Sequence, residues 1–232
     1  MKTVFLTGGT GYIGKRLVKM LLESNYRVIL LVRKGSESKV PAGAESVIAN
    51  PFDATSFEAH IPQGCVFVQL LGVSHPSPKK AVAFRTIDLK SVRASVDACT
   101  GRGISHFVYV SVAQSPSKIM AVYQAVRKEG EDYCTAAGLN CTFIRPWYVL
   151  GPGHWWPILL YPFYAIAELV PAWRQQARSK ALVTIKEMLQ TLLMAIVAKP
   201  AVSRVYEISD IKASGKEKVA PSGTTEQQAS YL

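Results

Sequence analysis

The chain has 232 residues, 49% of them hydrophobic and 19% charged, enough to bury one substantial core and too few for two full-sized domains. Lys and Arg number 27 against 16 Asp and Glu, a formal charge of +11, yet a chain this apolar is not a disordered basic tail. More than half of the excess falls in residues 1 to 40, where eight Lys/Arg face only Glu23 and Glu37, and no run of five basic residues occurs. A polybasic tract is excluded, and nucleic acid is not an expected partner.

Val- and Ile-rich runs at 4–7, 27–33, 46–50, 65–72, 106–112 and 141–147 are nearly continuous in apolar character. That pattern predicts parallel strands covered on both faces. Segments of helical length separate them, at about 13–25, 79–100 and 118–137; the first places Ile13, Leu17, Met20 and Leu21 at helical spacing, with Lys15, Arg16 and Lys19 opposite. A helix at 186–198 and a strand at 204–209 follow. Alternating strands and helices predict an α/β fold with a doubly wound parallel sheet of the Rossmann type. The expected domain runs from 1 to 210, with a small substrate-side segment at 147–200 and a disordered tail at 211–232.

Residues 155–171 (WWPILLYPFYAIAELVP) are apolar and aromatic but interrupted by Pro157, Pro162 and Glu168, and too short for a membrane span. The segment reads either as a lid or substrate-side helix, or as a contact with a protein or membrane surface. Cys65, Cys99, Cys134 and Cys141 form no C-x-x-C pair, so neither a zinc site nor a thioredoxin-type motif is expected. The N-terminal apolar stretch is too short for a signal peptide, which leaves a cytoplasmic location as the expectation.

Directly after the first strand comes TGGTGYIG, Thr7 to Gly14, with Gly8, Gly11 and Gly14 at three-residue intervals opening a helix. A dinucleotide site needs a tight turn, a close backbone approach to pyrophosphate, close helix–strand packing, and the anion at the helix N-terminus. The end of the second strand then selects the dinucleotide. An acidic residue there would hold a ribose diol; this chain has Arg33 and Lys34, which suit a 2′-phosphate, so NADP(H) is favoured over NAD(H).

These residues resemble the short-chain dehydrogenase/reductase superfamily, in its atypical or extended branch, which includes NmrA-like and epimerase/dehydratase-like proteins and relatives of a respiratory complex I accessory subunit. TGGTGYIG resembles that branch's TGxxGxxG, and the resemblance implies cofactor contacts from Thr7, Gly8, Gly9, Thr10, Gly11, Tyr12, Ile13 and Gly14. Asp53 in NPFDATSF resembles the family aspartate at the adenine. LLGVSHP at 70–76, with Leu71, Gly72 and Val73, looks like the loop along the cofactor, and RPWYVLGPG, with Pro146, resembles the segment bordering the substrate pocket.

In active members of that family a Tyr exchanges the proton at the substrate oxygen, a Lys four residues on holds the ribose and lowers the Tyr pKa, and a Ser or Thr after strand five steadies the substrate. The matching positions are Tyr123, Ser111 and, where Lys is expected, Arg127; Glu131 supports the frame. Ser111 is followed by Val112 and Ala113 rather than further serines. Arg127 stands one helical turn from Tyr123 and is expected to favour tyrosinate, although its fork is bulkier than an ammonium. Lys128 points about 100° away around the helix. His60, His75, His106 and His154 show no ligand spacing, so no metal is expected.

Two functions follow. One is an NADP(H)-dependent oxidoreductase acting on a small, mainly apolar carbonyl or hydroxyl substrate, with Trp147, Tyr148, Trp155 and Trp156 as an aromatic lining. The other is a catalytically weak or inactive dinucleotide-binding regulator or assembly factor.

Overall fold

The computed structural model describes residues 2–73, 76–117, 119–153, 181–198, 200 and 202–216. Its centre is a parallel sheet in the order β3-β2-β1-β4-β5-β6-β9. The strands are β1 (Thr3–Thr7), β2 (Arg27–Val32), β3 (Glu45–Ile48), β4 (Val66–Gln69), β5 (His106–Val110), β6 (Cys141–Ile144) and β9 (Arg204–Tyr206). Between them run α1 (Tyr12–Glu23), a composite helix and α4 (Ala121–Ala136). The composite helix is α2 (Ala81–Ala83), a π-helical stretch (Phe84–Leu89) and α3 (Lys90–Cys99). The expected doubly wound architecture is present.

Continuous apolar strands fill a core on each face. Val4 and Leu6 of β1 join Leu17 and Leu21 of α1 on one side. Phe5 points to the other side, where its ring lies 5.4 Å from Phe67, and Phe67 stacks on Phe107 at 5.2 Å. Side chains that alternate across a pleated strand give every sheet face its own cluster when helices cover both. The chain order reverses between β1 and β4, and the crevice at that reversal, beyond the carboxyl ends of the strands, is where open α/β sheets bind ligands.

Several strands end earlier than their apolar runs. The run at 65–72 is β4 only to Gln69, and that at 141–147 is β6 only to Ile144, because the residues beyond leave the sheet to form the crevice. A two-stranded parallel sheet, β7 (Val149–Leu150) with β8 (Val183–Thr184), was not evident from periodicity. It leads into α5 (Ile185–Ala198), which packs on the α1 side of the sheet through Met188 and Leu192.

The expectation of a disordered tail from 211 is corrected by α6 (Ile208–Ser214). Ile208, Ile211 and Ser214 are buried, and Glu207 and Asp210 close a reciprocal capping box. The same Glu207 accepts from Arg145 Nη1 at 2.7 Å, while Arg145 Nε donates to Glu131 of α4 at 3.0 Å. One guanidinium thus joins the end of β6, α4 and the last described helix. Residues 217–232 of the expected tail, and the 155–171 segment, lie outside the described residues.

Candidate functional site

The glycine loop is shaped by close approach. Gly8 has φ +70, and a Cβ there would stand 2.7 Å from the Leu71 nitrogen at the end of β4; both the backbone and the space demand glycine. A Cβ on Gly14 would stand 2.3 Å from the Gly8 carbonyl oxygen, so α1 begins pressed against the loop. The N-cap is Gly11, without a side-chain cap, and no acidic residue lies in the first turn. That turn, with backbone N–H groups that lack intrahelical acceptors and the positive end of the helix dipole, suits an anion. This cradle fits the pyrophosphate of a dinucleotide.

The loop opens into a cleft of about 310 Å³. Gly8, Gly11, Tyr12, Ile13 and Gly14 form one wall, and Gly72 and Val73 after β4 form another. Ser111 after β5, Tyr123 and Arg127 of α4, and Pro146 after β6 line the rest. Trp147 and Tyr148 also line it, with rings 5.8 Å apart and edge-on. Leu70 and Pro76, from the loop expected along the cofactor, Val149, from the segment expected at the substrate pocket, and Val110 and Val112 at the end of β5 line it as well. Trp155, Trp156, His75 and His154 lie outside the described residues.

Other expected cofactor residues are placed apart from this cleft. Thr7 is buried and donates to Gln69 Oε1 at 2.6 Å, tying β1 to β4. Gly9 backs onto Leu6 and Leu30, where a Cβ would come within 2.8 and 2.5 Å of their side chains. Thr10 is half-buried in the turn, and Leu71 is half-buried between Gly72 and the Gly8 contact. Arg33 and Lys34 are exposed at the end of β2. Asp53 is exposed, and its Oδ1 accepts from Thr55 N and Oγ1 at 3.2 and 2.8 Å, capping the turn Ala54–Ser56. It lines a separate concavity with Phe52 and Lys90.

The loop carrying Ser111 is held by α4. Gln124 Nε2 donates to the carbonyls of Ala113 and Ser115 at 2.7 and 2.6 Å, and the Ser111 N–H donates to Ile144 O at 2.8 Å. The Ser111 Oγ is buried and has no hydrogen-bond partner among the described residues. A buried hydroxyl without a partner is costly to keep, so one facing a cleft marks a place for a ligand atom.

Arg127 is not free. Its Nη2 donates to Asp88 Oδ1 at 2.7 Å, its Nη1 donates to Val110 O at 3.0 Å, and its guanidinium lies 5.2 Å from the centre of the Tyr123 ring. Burial pushes the Tyr123 phenol above its ordinary range; the Arg127 charge pulls it down, and Asp88 opposes that pull. Arg127 thus pulls toward tyrosinate, as its spacing implies, but burial outweighs it and the net direction is upward. Asp88 was missed in the sequence. Its only local signal was an acid at an apolar position of a helix, between Ile87 and Leu89.

Among the described residues no cluster of His, Cys, Asp and Glu is arranged to hold a metal ion. No described helix is long and apolar enough to cross a membrane.

The sequence is similar to a ceramide reductase of Caulobacter vibrioides, 25% identical over 214 residues that cover 91% of this chain and 66% of that protein. It is also similar to an uncharacterized sugar epimerase, YhfK, of Bacillus subtilis (29% identical, 62% of this chain and 70% of that protein). A third relative is the photosystem II assembly factor Ycf39 of Cyanophora paradoxa, 23% identical over 62% of this chain and 44% of that protein. The chain therefore spans between under half and about two-thirds of the length of these relatives. Among solved structures, a UDP-galactose 4-epimerase superposes with TM-score 0.66 at 20% identity, over 88% of this chain and 77% of that one. The UDP-Glc/GlcNAc 4-epimerase of Campylobacter jejuni gives 0.67 at 13% identity, over 93% and 84%; both share the fold. With residues 8–151 matching the NAD(P)H-binding family model, and with the glycine cradle and the sheet order in place, the chain belongs to the NAD(P)H-binding family.

Proposed function

We propose that the chain is an NADP(H)-dependent reductase of a small, mainly apolar carbonyl compound. The observation that carries this reading is the meeting of an unpartnered Ser111 hydroxyl and the buried Tyr123 in the cleft of the glycine loop. Ser111 Oγ donates a hydrogen bond to the substrate carbonyl oxygen and orients it. Tyr123, whose burial keeps the phenol neutral, gives its proton to that oxygen as negative charge develops, and recovers a proton from water. Bound reduced dinucleotide would supply a hydride to the carbonyl carbon, the two electrons together with the new hydrogen. A tyrosine poised with its proton on favours reduction over oxidation.

Gly8, Gly11 and Gly14 would cradle the pyrophosphate, and Arg33 and Lys34, exposed at the end of β2, would grip a 2′-phosphate. Trp147 and Tyr148 give the substrate end its apolar character. The similarity to a ceramide reductase is in keeping with a reducing activity on an apolar substrate.

A second reading, a dinucleotide-binding regulator or assembly factor without turnover, is favoured by one observation. Arg127 is committed to Asp88 and Val110, whereas the family's lysine reaches the ribose. Similarity to an assembly factor is in keeping with it.

A carbonyl panel with NADPH, followed by loss of the reduced-dinucleotide absorbance, separates the two. Tyr123→Phe is expected to lower kcat by about a hundredfold or more while Kd for NADPH holds. Tight NADPH binding with no turnover across the panel supports the regulator instead.

A further inference from the structure

Asp88 stands where three parts of the cleft meet. The composite helix and α4 face each other through successive contacts: Phe84 with Tyr123, ring centres 4.7 Å apart; Asp88 with Arg127, 2.7 Å; and Val92 with Gly130, where an added Cβ would come within 2.9 Å of Val92. Residues spaced by four drift about 40° per step around an α-helix. The π-helical stretch Phe84–Leu89 is wider, which keeps Phe84 and Asp88 on the side facing α4.

The carboxylate reaches the cofactor-side loop as well. Asp88 Oδ1 accepts the Val73 N–H at 2.9 Å as well as the Arg127 donor. Gly72 crosses directly over the pair, and a Cβ there would stand 2.2 Å from Arg127 Nη2 and 2.3 Å from Asp88 Oδ1. Asp88 is fully buried in its side chain and Arg127 nearly so. A buried guanidinium without a counter-charge is strongly disfavoured.

We propose that Asp88 is a positioning residue of the cleft: it clamps the loop Gly72–Val73 onto α4 and cancels the Arg127 charge beside Tyr123, so that arginine can stand where the family has lysine. The proposal rests on the reading of Tyr123 as a proton donor, which needs the phenol neutral. Among the described residues, the charged and titratable groups around Tyr123 are Arg127 on its own helix and Asp88 on the helix packed against it, with Tyr109 of β5 bordering Arg127 from the sheet.

Two measurements test it, and neither needs turnover, so a chain with no reductase activity still reports on Asp88. In the first, the alkaline ultraviolet difference between wild type and Tyr123→Phe isolates the Tyr123 phenol, and the same difference is taken in an Asp88→Asn background. In wild type the phenol resists ionisation until the fold gives way. In Asp88→Asn its midpoint falls by about one to three pH units, ahead of the loss of helical circular dichroism. A phenol that still ionises only with unfolding overturns the charge-cancelling role.

In the second, Asp88→Leu/Arg127→Met replaces the pair with apolar groups that a buried site tolerates even if Asp88→Asn does not fold. Exchange of the Val73 amide is expected to speed up at least about tenfold, the equivalent of one lost hydrogen bond, and NADPH binding to weaken. Unchanged Val73 exchange and unchanged Kd overturn the clamp.

Discussion

Gly14 and Gly8 approach so closely that α1 has no room for a single methyl: a Cβ on Gly14 would stand 2.3 Å from the Gly8 carbonyl oxygen and 2.7 Å from the Gly9 Cα. Both obstacles are backbone and cannot rotate away. Gly14→Ala must shift the helix start and with it the N–H groups aimed at the pyrophosphate. The expected result is a loss of about 1–3 kcal/mol in stability and NADPH binding at least about tenfold weaker. Urea denaturation and calorimetric titration check this; an unchanged Kd would remove the loop from the binding site.

Gly72 is exposed, and by that measure an alanine there would be neutral. The Asp88–Arg127 pair beneath it says otherwise. Gly72→Ala is expected to cost between the strain of overpacking, about 1–3 kcal/mol, and the parting of a buried ion pair, about 3–5 kcal/mol. In the Asp88→Leu/Arg127→Met background the same substitution should cost less, and a double-mutant cycle reads the difference. Equal costs in both backgrounds would mean that Gly72 matters for its backbone alone.

Arg33→Asp reverses the charge at the end of β2 without touching the core, since the residue is exposed. Stability is expected to stay within about 0.5 kcal/mol of wild type. NADPH affinity should fall by about 1.5–3 kcal/mol, the worth of a hydrogen bond to a charged group, with NADH affinity level or improved. An unaltered ratio of the two dissociation constants would refute the preference for the phosphorylated dinucleotide.

Alkaline pH should weaken the fold before it affects the surface. Burial pushes up the Cys99 thiol and the Tyr109 and Tyr123 phenols, and a hydrogen bond to Cys141, with burial, pushes up Cys134. Groups whose folded pKa is raised hold protons that the unfolded chain gives up. Their contribution is full below the unfolded thiol range, about 8.5, and is lost progressively as pH rises above it. The urea midpoint should therefore decline from that point upward. All four cysteines are buried, and a thiol reagent is expected to label them only as fast as the protein opens. Rapid labelling of the native state at neutral pH would contradict this.

The sheet was legible because buried parallel strands leave a continuous apolar record: Val4, Phe5 and Leu6 are all fully buried, and nothing polar interrupts them. The glycine loop was legible because its demands are local, a positive φ at Gly8 and a helix start at Gly14. Strand ends were not. Leu70 to Val73 extend the apolar run of β4, but their backbone turns aside to pass over a side chain from another helix. Nor was the Asp88–Arg127 pair legible, since its partners lie far apart in sequence and the π-helical turn that presents Asp88 departs from the 3.6-residue period. The net upward direction at Tyr123 has the same root: the pull of a neighbouring cation can be read from spacing, whereas the depth of burial that outweighs it depends on Phe84 and the sheet beneath.

The Arg145 guanidinium, shared between Glu131 and Glu207, bears on how the molecule assembles. A chain emerging from its N-terminus acquires the glycine loop first and α4 midway, but the second carboxylate on Arg145 arrives only with residue 207. The hold of β6 on α4 through Arg145 is thus shared with a residue reached only late in the chain, so the packing of α4 and the docking of the last described helix depend on one guanidinium.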